Sequence, residues 1–213
     1  MQSLKNYKGF TLIELAIVLV IIGIIIGAVL KGQELIQSAR IKKFISEIRK
    51  SETAIWTFLD RNGRFPGDGN NNGLIADWLD TDTNPYQDLV TNSKLLSDKD
   101  NPIVLGNFRF WISFGVRGIP PNVTDAPLLN VIVICPADNN WCRSFITSEE
   151  LEFFKAFDAV VDGTADAKNG RVRGGTQAFI TKDKWILNSQ PSDPGTDWGS
   201  NTISLIYYFD HSP

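Results

Sequence analysis

One carboxylate, Glu14, lies inside a run of 21 residues from Phe10 to Leu30 in which no other residue is charged. An ionisable side chain in such a stretch costs about 2.5–3.5 kcal/mol on membrane-insertion scales, and where it persists it is paired or functional. Two chemistries suit it. Thr11-x-x-Glu14 has the spacing of a capping box, in which hydroxyl and carboxylate satisfy the orphan N–H groups at a helix start. The other is ion pairing: a carboxylate taken out of water needs a cationic partner, and the run from Phe10 to Leu30 supplies none of its own. On the N-terminal side, Lys5 and Lys8 stand in a short leader that ends in Gly9. On the other side the run leaves through Val29-Leu30-Lys31-Gly32 without the small-residue pattern of a signal-peptidase site.

Other residues carry chemistry farther along. Cys135 and Cys142 are the only cysteines. In an oxidising compartment they predict a disulfide closing a small loop, and in a reducing one two buried thiols. Asp68-Gly69-Asn70-Asn71-Asn72-Gly73 resembles the opening of a calcium loop, with side-chain oxygens at Asp68, Asn70 and Asn72 and glycine sixth. Leu79 stands where the bidentate acid belongs, with Asp77 and Asp80 near it, so a turn-rich Gly/Asn loop needing no metal fits as well. Asn122-Val123-Thr124 matches a short glycosylation sequon. His211, the sole histidine, reads as a solvated tail residue, and no nucleophile elbow, phosphate loop or metal-hydrolase helix is present. No catalytic residue and no cofactor other than possible Ca2+ is expected.

The stretch Gly9-Phe10-Thr11-Leu12-Ile13-Glu14, with the lysines before it and the apolar run after it, resembles the processing site of type IV prepilins and type II secretion pseudopilins. The resemblance covers residues 5 to about 68, including Phe65-Pro66-Gly67-Asp68, which is similar to a turn that follows the spine in many such proteins. It implies that a membrane-embedded prepilin peptidase cuts between Gly9 and Phe10 and methylates the new Phe10 amine. Glu14 would then be the assembly glutamate, meeting the Phe10 amine of a neighbouring subunit. The chain departs from the family in two places. Pro66 is its first proline, so no proline weakens the middle of the spine, and the large cysteine-bounded loop near the C-terminus of many pilins is missing.

These sites must be positioned by elements legible in the pattern. The Phe10–Leu30 run makes a helix about 31 Å long, the thickness of a bilayer's hydrocarbon core. Beyond Lys31-Gly32 the pattern becomes amphipathic. Leu35, Ile41, Phe44, Ile45, Ile48, Ile55, Phe58 and Leu59 recur at spacings of three and four, and Arg40, Lys42, Lys43, Glu47, Arg49 and Lys50 fill the other face. One helical spine over 10–60 is expected, stopping at Asn62-Gly63. Residues 64–101 read as a long loop with short helices. In Phe108–Val116 the even positions are all large and apolar, which predicts a strand with one buried face. Leu128–Cys135 reads as a central strand, Ile203–Phe209 as another, and 177–187 as a hairpin turning at Lys182-Asp183. Thr147-x-x-Glu150 opens a second helix ending at Gly163.

The expected fold is α+β: a leader over 1–9, a long N-terminal helical spine over 10–60 (10–30 forming the membrane or filament core), and an antiparallel β-sheet head over 61–213 with its helices on one face. The net charge of −3, falling to −5 when Lys5 and Lys8 leave with the leader, argues against a generally basic nucleic-acid surface. Lysines ahead of the apolar run keep the leader cytoplasmic and place the head outside the inner membrane. The implied function is that of a structural subunit of an extracellular type IV pilus-like filament, homo-oligomeric, built by inner-membrane assembly machinery. The alternatives are a type II secretion pseudopilin, or a minor pilin acting as an adhesive or DNA-binding tip module.

Overall fold

A computed structural model describes residues 10–76, 84–117, 129–137, 142, 144–175, 177–180, 187–192, 197–199 and 201–210. The chain forms two compact units, one up to Arg40 and one from Ile41 onward, and helix α1 (Leu12–Asn62) contributes residues to both.

In the first unit α1 is apolar all round as far as Leu30 apart from Glu14, and every residue from Phe10 to Leu30 is exposed. The helix starts at Leu12 rather than Phe10 because Thr11 caps it. It is long and apolar enough to cross a membrane.

In the second unit α1 is amphipathic. Phe44, Ile48, Ser51, Ile55 and Phe58 are buried at alternating intervals of four and three residues, which keeps them on one helical face. The helix stops where Gly63 takes φ 70° and its N–H donates to the Leu59 carbonyl at 2.8 Å. Glycine enters that left-handed conformation without the steric cost that other residues meet.

The sheet contains β1 (Ile103–Leu105), β2 (Phe108–Arg117), β3 (Leu129–Pro136), β4 (Val172–Gly175) and, closing the chain, β7 (Ser204–Tyr208). Its order is β1-β2-β3-β7-β4 and its pairs are antiparallel. The almost unbroken apolar run of β3 fits its central place, since a central strand is buried on both faces. Helix α2 (Ser148–Asp162) opens with the expected capping box, Thr147 Oγ1 accepting from the Glu150 N–H at 3.2 Å and Glu150 accepting from the Thr147 N–H at 2.9 Å.

The period of two in β2 decides which helices meet which face. Phe110, Ile112 and Phe114 join Ile132, Ile134, Leu205 and Tyr207 in a core shared with α1 and α2. Phe44 is its centre, with ring centroids 5.0 Å from Phe110, 5.6 Å from Phe153 and 6.5 Å from Phe157. Both helices therefore lie on one face, and the architecture is α+β and pilin-like. The opposite face carries Trp111, Val131, Val133, Ile206 and Tyr208 around the cysteines.

Two details differ from the sequence reading. The hairpin forms, as β5 (Gln177–Ile180) against β6 (Leu187–Ser192), but as a separate two-stranded sheet. The strands β1 and β4, of three and four residues, were hidden because so short a segment shows no periodicity. The Lys182-Asp183 turn, the Asn122–Thr124 sequon and His211 lie outside the described residues.

Candidate functional site

The start of α1 is built by local chemistry. Glu14 Oε2 accepts from the Thr11 backbone N–H at 2.8 Å and from Thr11 Oγ1 at 2.9 Å, while the Glu14 N–H donates to Thr11 Oγ1 at 3.3 Å. This is the capping box, made within one chain by residues three apart. Among the described residues both of the carboxylate's bonds fall on Oε2. Around it the surface is apolar: Phe10 is 81 % exposed, Leu12 88 % and Ile13 68 %. A carboxylate in such a ring cannot be covered by lipid or protein without losing water, which is costly unless a cation pairs with it or it takes up a proton. Gly9, the residue before this site, lies outside the described residues. Beyond the apolar run, the exposed Lys31–Glu34 pair at 2.8 Å marks the return to polar surface; a pair so open to water adds little stability.

Residues 4–30 match the family model described as the prokaryotic N-terminal methylation motif. The chain carries the signature of type IV pilins and pseudopilins. Neither a curated protein nor a solved structure matches it. The match contains Gly9, Phe10 and Glu14, and it supports a pilin-like or pseudopilin subunit in general terms. The apolar helix that follows fits membrane anchoring before assembly.

Cys135 and Cys142 are joined in a disulfide, with Cα atoms 5.6 Å apart. It ties the end of β3 to Cys142, and both residues are buried in the core on the helix-free face. The closed loop is short, so the entropic stabilisation is about 2–3 kcal/mol. Replacing both cysteines by serine is expected to lower the unfolding free energy by about that amount, read as a lower denaturant midpoint. An unchanged midpoint would show that the bridge stabilises nothing.

The calcium candidates are occupied by the backbone. Asp68 accepts from the Asn72 N–H at 3.0 Å and from the Gly73 N–H at 2.9 Å, Asn70 from the Asn72 N–H at 3.0 Å, and Asn72 from the Leu74 N–H at 2.9 Å. These are the bonds of a turn-rich Gly/Asn loop. Asp77, Leu79 and Asp80 lie outside the described residues. Among the described residues no group of three or more His, Cys, Asp or Glu side chains is placed to hold a metal.

Two polar anchors of this loop escaped the sequence reading. Arg64 makes a forked pair with the buried Asp88 at 2.7 and 3.1 Å, and Asp88 also accepts from the Gly67 N–H at 2.9 Å. Breaking such a pair from one side costs about 3–5 kcal/mol, because it strands the other charge. Asn130 of β3 accepts from the Ile75 N–H at 2.7 Å and donates to the Gly73 carbonyl at 2.9 Å and to Asp210 at 2.7 Å. An asparagine in an otherwise apolar strand was the one signal available for it.

Proposed function

We propose that the chain is a structural subunit of an extracellular type IV pilus-like filament. On this reading residues 1–9 are a leader removed by prepilin peptidase after Gly9, Phe10 is the methylated terminus, 10–60 the spine and 61–213 the head. The subunit waits in the inner membrane as a single-pass protein. It then exchanges lipid contacts for contacts with neighbouring spines, and the heads lie outside.

The observation that carries the reading is a lone carboxylate set among exposed apolar residues inside a matching methylation motif. Apolar packing between helices is non-directional and defines register poorly. One buried charge corrects this, because a misregistered subunit leaves both Glu14 and its neighbour's Phe10 amine uncompensated. The head's size and its elaborated 64–101 segment favour a pilus over a secretion pseudopilus. Filaments sheared from cells and separated by mass should yield this chain, starting at Phe10, as the dominant band. Traces of it alone would point to a minor tip subunit, and its absence from filaments to a plain membrane anchor.

A further inference from the structure

Asp158, on the inner face of α2, is fully buried. Its Oδ2 accepts from Trp198 Nε1 at 2.7 Å, and its Oδ1 has no donor in hydrogen-bonding geometry among the described residues. One turn later on the same helix stands Asp162, whose Oδ2 accepts from the Val172 N–H at 2.8 Å at the start of β4. Two carboxyls thus hold two separate segments against the end of α2: Asp162 holds β4, and Asp158 holds the stretch 197–199. Trp198 also lines an open pocket with Lys155, Asp166, Lys168, Asn169 and Asp197, so the indole touches both the buried carboxyl and this pocket.

From this geometry we propose that Asp158 and Trp198 form a pH-sensitive latch, closed while the Asp158 carboxyl is protonated and loosened when it ionises beside Asp162. Burial and the neighbouring Asp162 set that polarity, and the nearby N–H donors work against it. Burial pushes the Asp158 carboxyl from its ordinary value of 3.8 up to about 7, and the Asp162 charge adds to this, while the Trp198 N–H and the Asp166 amide oppose it. Lys168 lies 3.1 Å from Asp197, and Lys155 lies 3.2 Å from Glu152, so both pocket lysines are engaged by other carboxylates. On the elements packed against α2, Arg49 and Glu52 of α1 and Arg171 just before β4 converge on the Tyr207 hydroxyl. Arg173 of β4 donates to the Gly170 carbonyl at 3.1 Å and lies over the Tyr208 ring.

The sign follows from linkage. A carboxyl whose folded value lies above its unfolded one stabilises the fold most at low pH. The folded-to-unfolded ratio then falls by up to about tenfold per pH unit between 3.8 and about 7, and levels off above.

The test is the emission of Trp198 in the full chain in detergent, isolated by subtracting the spectrum of Trp198→Phe at each pH from 5 to 9. A titration midpoint near 7 is expected in the wild type. Asp158→Asn, which keeps an oxygen for the indole, is expected to abolish it, and Asp162→Asn to shift it toward acid. A pH-independent wild-type signal overturns the proposal. So does a midpoint that survives in Asp158→Asn, or one that Asp162→Asn leaves in place.

Discussion

Glu14→Gln yields a chain that is cleaved, methylated and present in the membrane at wild-type levels, yet forms few or no filaments when it is the only copy. The capping box explains why the early steps survive. Its carboxylate accepts from Thr11 through a single oxygen, and a glutamine carbonyl can do the same. Removing the charge also makes the helix no harder to insert. Assembly is different. On the proposed reading, a neutral Glu14 leaves the neighbour's Phe10 amine buried without a counter-charge, at a cost of about 3–5 kcal/mol at each subunit contact. That is more than a hundredfold in the equilibrium constant of each contact, since every 1.4 kcal/mol is about tenfold. Quantifying sheared filaments against membrane-bound subunit separates the outcomes. A wild-type yield would mean that capping is Glu14's whole role, and would leave the processing site untouched.

Gly9→Val stops the pathway one step earlier. The resemblance places the scissile bond after Gly9, where the absence of a side chain leaves the carbonyl open to a peptidase. A β-branched residue adds bulk at that point and stiffens the backbone. Uncleaved precursor is expected to accumulate in the inner membrane, with processing reduced to near zero and no methylated Phe10. Without cleavage there is no Phe10 amine to pair with Glu14, so filament loss should be as complete as in Glu14→Gln, but with a heavier chain. Mass spectrometry of the membrane fraction distinguishes the two. Normal filaments built from a chain that retains residues 1–9 would refute the assignment of the processing site.

The two variants probe a site that is local in sequence, and that is why it was legible. A capping box spans four residues, a helix repeats every 3.6 and a strand every two, so Thr11 with Glu14, Thr147 with Glu150, and the alternation Phe108–Val116 each declare themselves within a few positions. The apolar length from Phe10 to Leu30 is likewise a property of consecutive residues. Cys135 and Cys142 were legible too, because they are the chain's only pair and close together.

What the tertiary structure alone decided depends on residues far apart. The order β1-β2-β3-β7-β4 places the C-terminal strand between β3 and β4, which no local period encodes. The partners of Asp88, Asp158 and Asn130 lie 24, 40 and as many as 80 residues away. Such pairs are selected by how the chain closes and by the high cost of a buried polar group without a partner, not by their own neighbourhood. The calcium-like loop shows the same limit. Its residue types admit an ion or a turn, and the fold turns the oxygens of Asp68, Asn70 and Asn72 onto backbone N–H groups. The residues from Phe10 to Leu30 are the converse case: their own consecutive sequence makes them helical and apolar, and among the described residues they remain exposed.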